Sequence, residues 1–433
     1  MSHESLTDRV DALIRREQAV VACPYPLFAE LRRDAPIYSE SLGAWMISRY
    51  DDVRSILRDT ERFSSLLPTG PQSSGESLMG AIAELSQEPD MAAVLSSRGL
   101  RLGRAAVLLN ADPPDHRRQR RLVNPAFRPD RIRSLEPAMR STARDLLDDV
   151  RIALATDGSV DIVARYAVGL PMTIIALALG VPVDRLDTFK RWSDDIVMPV
   201  GNHSPSIDQV RGFLISSMEF NEYFLEQIAE RRRVATDDVL SDIANAVIEG
   251  EELSEDEQLG MLQQFLVAGN ETTTKLITNI VRHLAENPEV QDEVRSTPGS
   301  IESLVEEMLR VEAPVGGLFR RAKVDVDVGG ARIPAGDHVW LLYASANRDE
   351  CRFAEPDRVD LGRANSREHL AFGNGEHFCP GAGLARAEAR VAIETLLEGL
   401  GHIELAPGND FRFDDSFVLR GLRSLVVTAR PMD

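Results

Sequence analysis

Cys379 stands in the run Phe372-Gly373-Asn374-Gly375-Glu376-His377-Phe378-Cys379-Pro380-Gly381, one thiol among glycines and just ahead of a strongly helix-forming stretch. Gly373, Gly375 and Gly381 free the backbone to turn tightly and let a flat ligand approach without meeting a side chain. The following run, Ala382-Gly383-Leu384-Ala385-Arg386 and onwards, predicts a helix whose free N–H groups and dipole favour negative charge at its start. The thiol is therefore expected to be biased towards thiolate. An iron held by one such thiolate gains electron density that helps to break an O–O bond, so the chemistry suggested is oxygen activation. A lone cysteine beside glycines is more often an inert buried thiol, and the reading needs support from elsewhere in the chain.

A second group lies on a predicted helix that opens with the capping box Ser254-Glu255-Asp256-Glu257 and runs to Asn287-Pro288. At 1.5 Å per residue this is a rod of roughly 50 Å, long enough to cross a domain. Its middle reads Ala268-Gly269-Asn270-Glu271-Thr272-Thr273. Gly269 costs about 1 kcal/mol against alanine in a helix, and Thr272 can bond back to the carbonyl of Ala268, which bends helices. Read alone, the stretch is a helix-packing notch.

Together the two segments resemble the signatures of the cytochromes P-450, the haem-thiolate monooxygenases. Phe372, Gly375, His377, Cys379 and Gly381 match the family's cysteine-ligand pattern, and Ala268, Gly269, Glu271 and Thr272 match its oxygen-binding groove. By that resemblance Cys379 would ligate the iron of haem b, Thr272 would stabilise the iron-bound peroxide, and Glu271 would help to relay protons. Glu307 and Arg310, three apart on one helical face, are by themselves an ordinary surface ion pair. In the family they resemble a Glu-x-x-Arg element whose partner would be Arg358, a structural trio near the haem; Glu306 is the alternative register. The haem propionates must be neutralised or left in water. His116 and Arg120, four apart in a basic helix, resemble the family's propionate-binding pair; Arg320 and His377 are the other expected contacts. Gly373 completes the expected cofactor-contacting set.

The resemblance runs from about residue 24 to the C-terminus and implies the cytochrome P-450 fold, mainly α with a small β part, its long central helix lying over a haem. Residues 1–433 are read as a single domain, with 1–23 as a flexible N-terminal arm. Expected strands are 45–47, 338–342 and 425–428, with a hairpin over 323–334 turning at Gly329-Gly330. The segment 65–104, irregular and rich in Ser, Gly and Pro at its start, is read as a substrate lid. The substrate walls are expected at Val315 and Leu318, with Gly316 and Gly317 leaving room for a bulky ligand, and opposite them at Phe417 and Val418. All are apolar or small, so the substrate should be hydrophobic: a terpenoid, steroid, fatty acid or polyketide-like molecule.

With 49 basic against 69 acidic residues the net charge is −20, which argues against nucleic acid as a partner. The three cysteines, Cys23, Cys351 and Cys379, form neither a metal spacing nor a paired framework. The N-terminal residues lack an apolar core, and glycines and prolines interrupt the apolar stretch 166–183, so neither a signal peptide nor a membrane anchor is expected. The expectation is a cytoplasmic, bacterial-type monomer that takes electrons from a ferredoxin or flavodoxin through its reductase. Arg117, Arg118, Arg121 and Arg390 would supply the docking face. Two rivals are a haem protein that only binds or senses a gas, which has no need of Glu271 and Thr272, and a haem-thiolate enzyme using peroxide or rearranging its substrate without oxygen.

Overall fold

In a computed structural model, residues 5–34, 36–71, 76–98, 105–202, 204–248 and 250–430 are described. The architecture is mainly helical with small sheets to one side, as the sequence implies. Its axis is the helix Glu255–Glu286. The capping box forms as read: the Ser254 hydroxyl accepts from the Glu257 N–H at 3.3 Å, and the Glu257 carboxylate accepts from the Ser254 N–H at 3.0 Å. From Thr273 onward this helix is buried nearly all round, so tertiary packing rather than propensity stabilises it. It packs on Gly169–Ala178, Leu186–Val197, Ser300–Val311 and Ala382–Gly399; the last of these lies in turn along Pro129–Asp157.

The larger sheet has the strand order Ile37–Ser39, Ala44–Ile47, His338–Leu341, Leu318–Ala322, Phe63–Ser64. Ala44–Ile47 and His338–Leu341 run parallel, and Leu318–Ala322 pairs antiparallel to the latter. The hairpin is shorter than expected, Val326–Val328 against Ala331–Ile333. Its turn uses Gly329 at φ +55° and Gly330 at φ +91°, the left-handed conformation that a tight hairpin of this twist requires. The C-terminal strand runs over Val426–Arg430, between His402–Leu405 and Val160–Asp161.

Two expectations about irregular segments are corrected. The N-terminal arm holds helices Leu6–Ile14 and Gln18–Ala22, with Val10, Leu13 and Ile14 buried in the core, because its apolar residues recur at helical spacing. It is also clamped from the far end of the chain. The Arg420 guanidinium donates to the carbonyls of Val21 and Ala22, pairs with Glu312 at 3.1 Å and stands 4.2 Å over the Phe413 ring. The substrate lid, in turn, is not irregular where it is described: it carries helices Glu76–Leu85 and Pro89–Arg98, whose Ile82, Leu85 and Met91 pack on Val210, Leu214 and Met218. Residues 72–75 and 99–104 of that segment lie outside the described residues. Among the described residues no helix is long and apolar enough to cross a membrane.

Candidate active site

Between the long helix and the Cys379 loop lies a cavity of about 740 Å³ that Cys379, Thr272, Arg120, Arg320, His116 and His377 all line. The loop is held by the Cys379 N–H donating to the Phe372 carbonyl at 2.9 Å. Gly373 and Gly375 adopt φ of +71° and +73°, and a Cβ on Gly375 would sit 2.7 Å from the Leu57 carbonyl oxygen, so both glycines are required. Gly381 has an ordinary backbone conformation, and a Cβ there would make only ordinary contact, 3.9 Å from the sulfur.

The expected lean of the thiol towards thiolate is not met by the polypeptide alone. Burial pushes the Cys379 thiol up, and this outweighs the N–H groups of Gly381 and Ala382 and the nearby Arg120 and Arg386 that pull it down. A bound metal would supply the missing charge, because a coordinating thiol is deprotonated outright.

The cavity tests the fit of a dianionic macrocycle directly. Arg320 is 4 % exposed, and burial lowers its guanidinium pKa; among the described residues its guanidinium donates only to the adjacent Phe319 carbonyl, at 2.7 Å. Among the described residues neither Arg320 nor Arg120 has a carboxylate in ion-pairing range, and the buried Nδ1 of His116 has no partner. The His116 and His377 rings stack with centroids 3.8 Å apart. Burial, with Arg120 beside it, holds His116 down to about 4; burial with Arg320 and His116 holds His377 to about 2. Uncompensated buried cations are costly, and an anionic ligand at this end of the cavity would satisfy them. The donor set fits the propionates of a haem, whose iron Cys379 in the same cavity would hold.

On the opposite side the Thr272 hydroxyl donates to the Ala268 carbonyl at 2.7 Å, as anticipated. Gly269 is also a packing notch: a Cβ would stand 3.2 Å from Ile175. Glu271 sits in a buried polar cluster that the sequence reading missed. Its carboxylate accepts from Lys275 Nζ at 3.2 Å and from Asn270 Nδ2 at 3.2 Å, and Lys275 Nζ lies 2.6 Å from the Asp414 carboxylate. Gly421 makes room for the lysine stem, since a Cβ there would meet Lys275 Cγ at 2.3 Å. Burial pushes the Glu271 carboxyl up, but Lys275 and Lys190 outweigh it and hold the group below its ordinary value. The i, i+4 spacing of Glu271 and Lys275, in an otherwise apolar run, was the available signal.

A charge deletion tests this cluster. In Lys275→Met, burial is no longer offset by the nearer cation, and the Glu271 carboxyl moves above its unfolded value. Stability then falls as pH rises through the carboxylate range, opposite in sign to the present protein, whose depressed Glu271 favours folding above that range. A loss of about 1–3 kcal/mol is expected near neutrality, limited by the Lys190 that remains. Urea unfolding at about pH 5 and about pH 8 should show the larger deficit at the higher pH; a deficit independent of pH would contradict the arrangement.

Other expected positions fare differently. Val315, Leu318 and Val418 line the cavity, but Phe417 does not: its ring packs edge-on against Trp340 at 5.2 Å and Phe319, and Leu419 takes the wall position. Nor do Gly316 and Gly317 leave space for a ligand. A Cβ on Gly317 would sit 2.3 Å from the Leu341 carbonyl oxygen, so its smallness serves the strand crossing.

Glu307 and Arg310 form a fully buried bidentate pair at 2.7 and 2.9 Å, yet the third member of the trio is Arg363 and not Arg358. Arg363 Nε donates to Glu307 at 3.0 Å, whereas the Arg358 guanidinium reaches out to Glu355 and contributes only its backbone carbonyl, which accepts from Arg310. Glu306, the alternative register, is used too. Burial opposes its charge, but His369 and Arg386 outweigh that and bring its carboxyl to about 2; Arg386, from the helix after Cys379, also stands 4.6 Å over the Phe372 ring.

The proposed docking arginines are largely spoken for. Arg117 pairs with Glu376, Arg118 with Glu257 and Arg390 with Glu136 and Glu394. Arg118 is only 18 % exposed, so reversing its charge would break an internal pair before it altered a surface. One further acid was not anticipated: Glu388 lines the cavity, and burial raises its carboxyl well above the usual range against a hydrogen bond with Thr273 that pulls it down.

The chain is matched over residues 65–297 and 301–418 by the family model described as Cytochrome P450. It is 35% identical to Cytochrome P450 107B1 of Saccharopolyspora erythraea, over 97% of this chain and 98% of that protein. It is 34% identical to the vitamin D(3) 25-hydroxylase of Pseudonocardia autotrophica, over 94% of each chain. Among solved structures, CYP109E1 from Bacillus megaterium in complex with testosterone superposes with a TM-score of 0.78 at 30% identity, covering 94% of this chain and 99% of that one. Likeness of this extent in sequence, and agreement of the whole fold with it, place the chain in the cytochrome P450 family of monooxygenases.

Proposed function

We propose that this protein is a haem-thiolate monooxygenase that inserts one atom of O2 into a hydrophobic small molecule, by hydroxylation or epoxidation. The observation that carries the reading is the pair Arg320, buried, and Arg120, half-buried, which among the described residues have no counter-anion, beside the unpartnered His116 Nδ1 and in the same cavity as Cys379, Thr272 and Glu271. Haem b, when bound, would supply the oxygen chemistry. The chain's own residues hold and serve it: Cys379 as the metal ligand, and His116, Arg120, Arg320 and His377 on the propionates. Thr272 spends its hydroxyl proton on the Ala268 carbonyl, which leaves its oxygen to accept a hydrogen bond from a group in the cavity. Glu271, which accepts hydrogen bonds from Asn270 and Ser193 and lines the cavity, would take up a proton and pass it on as the relay. Glu307, Arg310 and Arg363 brace the framework.

A steroid- or macrolide-sized substrate suits the apolar walls, in keeping with relatives named for vitamin D(3) and crystallised with testosterone. Electrons would come from a ferredoxin or flavodoxin and its reductase, the protein acting in the cytoplasm as a single domain and a monomer.

The reduced protein exposed to carbon monoxide should give a strongly red-shifted Soret band; a band at the ordinary position would remove the thiolate and the reading with it. In Thr272→Ala, haem and substrate should still bind while oxygen consumption continues and reducing equivalents appear as hydrogen peroxide. Unchanged coupling of electrons to product in that variant would argue for peroxide-dependent or oxygen-free chemistry.

A further inference from the structure

Among the described residues, two that line the cavity carry a buried polar side-chain atom without a hydrogen-bond partner: His116, through Nδ1, and Ser217, through Oγ. The proposed propionate contacts account for the first. They do not account for the second. Ser217 is 6 % exposed and sits on helix Ile207–Arg233, which packs on Leu186–Val197, Val239–Ala244, Glu76–Leu85 and the long helix; none of these carries the cysteine or the cations. Phe213 and Met218 from the same helix, and Val197 and Val200, are apolar members of the same cavity wall. Asn221, one helical turn on, also lines the cavity and places a second polar group on the same face.

A buried hydroxyl left without a partner is destabilising, so its place in the cavity wall requires a reason. A small polar group set in such a wall is how a site fixes the orientation of an otherwise greasy ligand. We propose that Ser217, with Asn221 beside it, is a substrate-anchoring site for a hydroxyl or carbonyl oxygen. The ligand is then an apolar skeleton bearing one oxygen function away from the carbon that reacts, rather than a bare hydrocarbon. The serine hydroxyl donates to a carbonyl or exchanges bonds with an alcohol, which sets which end of the skeleton faces Cys379 and hence which carbon is oxidised. This rests on the cavity being the space above a bound haem, as proposed above.

The test uses the haem-loaded protein and two matched series of probes of increasing length, 1-alkylimidazoles and their ω-hydroxyl counterparts. The imidazole nitrogen binds the iron, and the haem absorption band reports affinity for every member. At the chain length that brings the terminal hydroxyl to Ser217, the ratio of the two dissociation constants should favour the alcohol. Ser217→Ala should lower that ratio by about 3- to 10-fold at that length alone, the size of one neutral hydrogen bond, while Ser217→Thr retains it. A ratio that Ser217→Ala leaves unchanged at every length, with all probes binding, overturns the anchoring site alone. If no member of either series perturbs the haem band, the cavity does not open onto the iron, and the proposed function falls with the inference.

Discussion

Cys379→Ala should fold and still take up haem through its cationic contacts, yet give no red-shifted band with carbon monoxide and no oxygen-dependent product at all. The effect is total because, of the three cysteines, only Cys379 lines the cavity; Cys23 and Cys351 are exposed on the surface. The fold should survive because the loop is held through backbone and neighbours: the Cys379 N–H to the Phe372 carbonyl, Arg386 to Glu306, and two glycines in the left-handed region. Haem uptake with an ordinary Soret position would fit replacement by a weaker ligand and support the assignment. A red-shifted band that persists in the variant would sink it.

The second large effect is on stability. Glu307 and Arg310 are both fully buried, and removing one partner strands the other's charge, which costs roughly 3–5 kcal/mol. Set against a net folding stability of about 5–15 kcal/mol, Glu307→Ala should leave little soluble protein or a greatly lowered urea midpoint. The sign with pH follows from the carboxyl. Burial raises it, but the hydrogen bonds from Arg310, the Asp360 N–H and Arg363 outweigh burial and hold it below its ordinary value. Its contribution is therefore complete above the unfolded carboxylate range and fades as pH falls through the lowered folded value, so variant and parent should converge in acid. Arg363→Met should cost a substantial part of the same energy, whereas Arg358→Ala, whose side chain is 63 % exposed, should cost little. If Arg358→Ala proved as damaging as Arg363→Met, the trio drawn here would be wrong.

That contrast illustrates what was legible in the chain. Periodicity and capping give the long helix and the Thr272 hydrogen bond within it almost to the residue, because Ser254, Glu257 and Thr272 act on their own backbone within four positions. The Cys379 loop is legible for the same reason: its glycines are demanded by local turns. Arg363 is not, since nothing local separates it from Arg358; both lie in an irregular loop, and only the path of that loop past Glu307 decides which guanidinium arrives. Phe417 fails in a related way. Being apolar and near the end of the chain, it fits a cavity wall and the core equally well, and the stacked Trp340 and Phe319 claim it. The thiol shows an opposing pull of another kind. Sequence reveals the helix start that favours its charge but not the depth of burial that wins. Ser217 gives no signal in sequence, because one serine on a mixed helical face means nothing until its surroundings are known to be dry.

Arg420 carries a practical consequence. Its guanidinium fastens the carbonyls of Val21 and Ala22, and its own backbone follows directly on Val418 and Leu419, which form the cavity wall. The first two helices of the chain thus act as a backstop for the pocket more than three hundred residues downstream. Trimming or tagging the N-terminus is consequently an edit to the cavity wall, and preparations that differ only there should be compared for ligand selectivity as well as for yield.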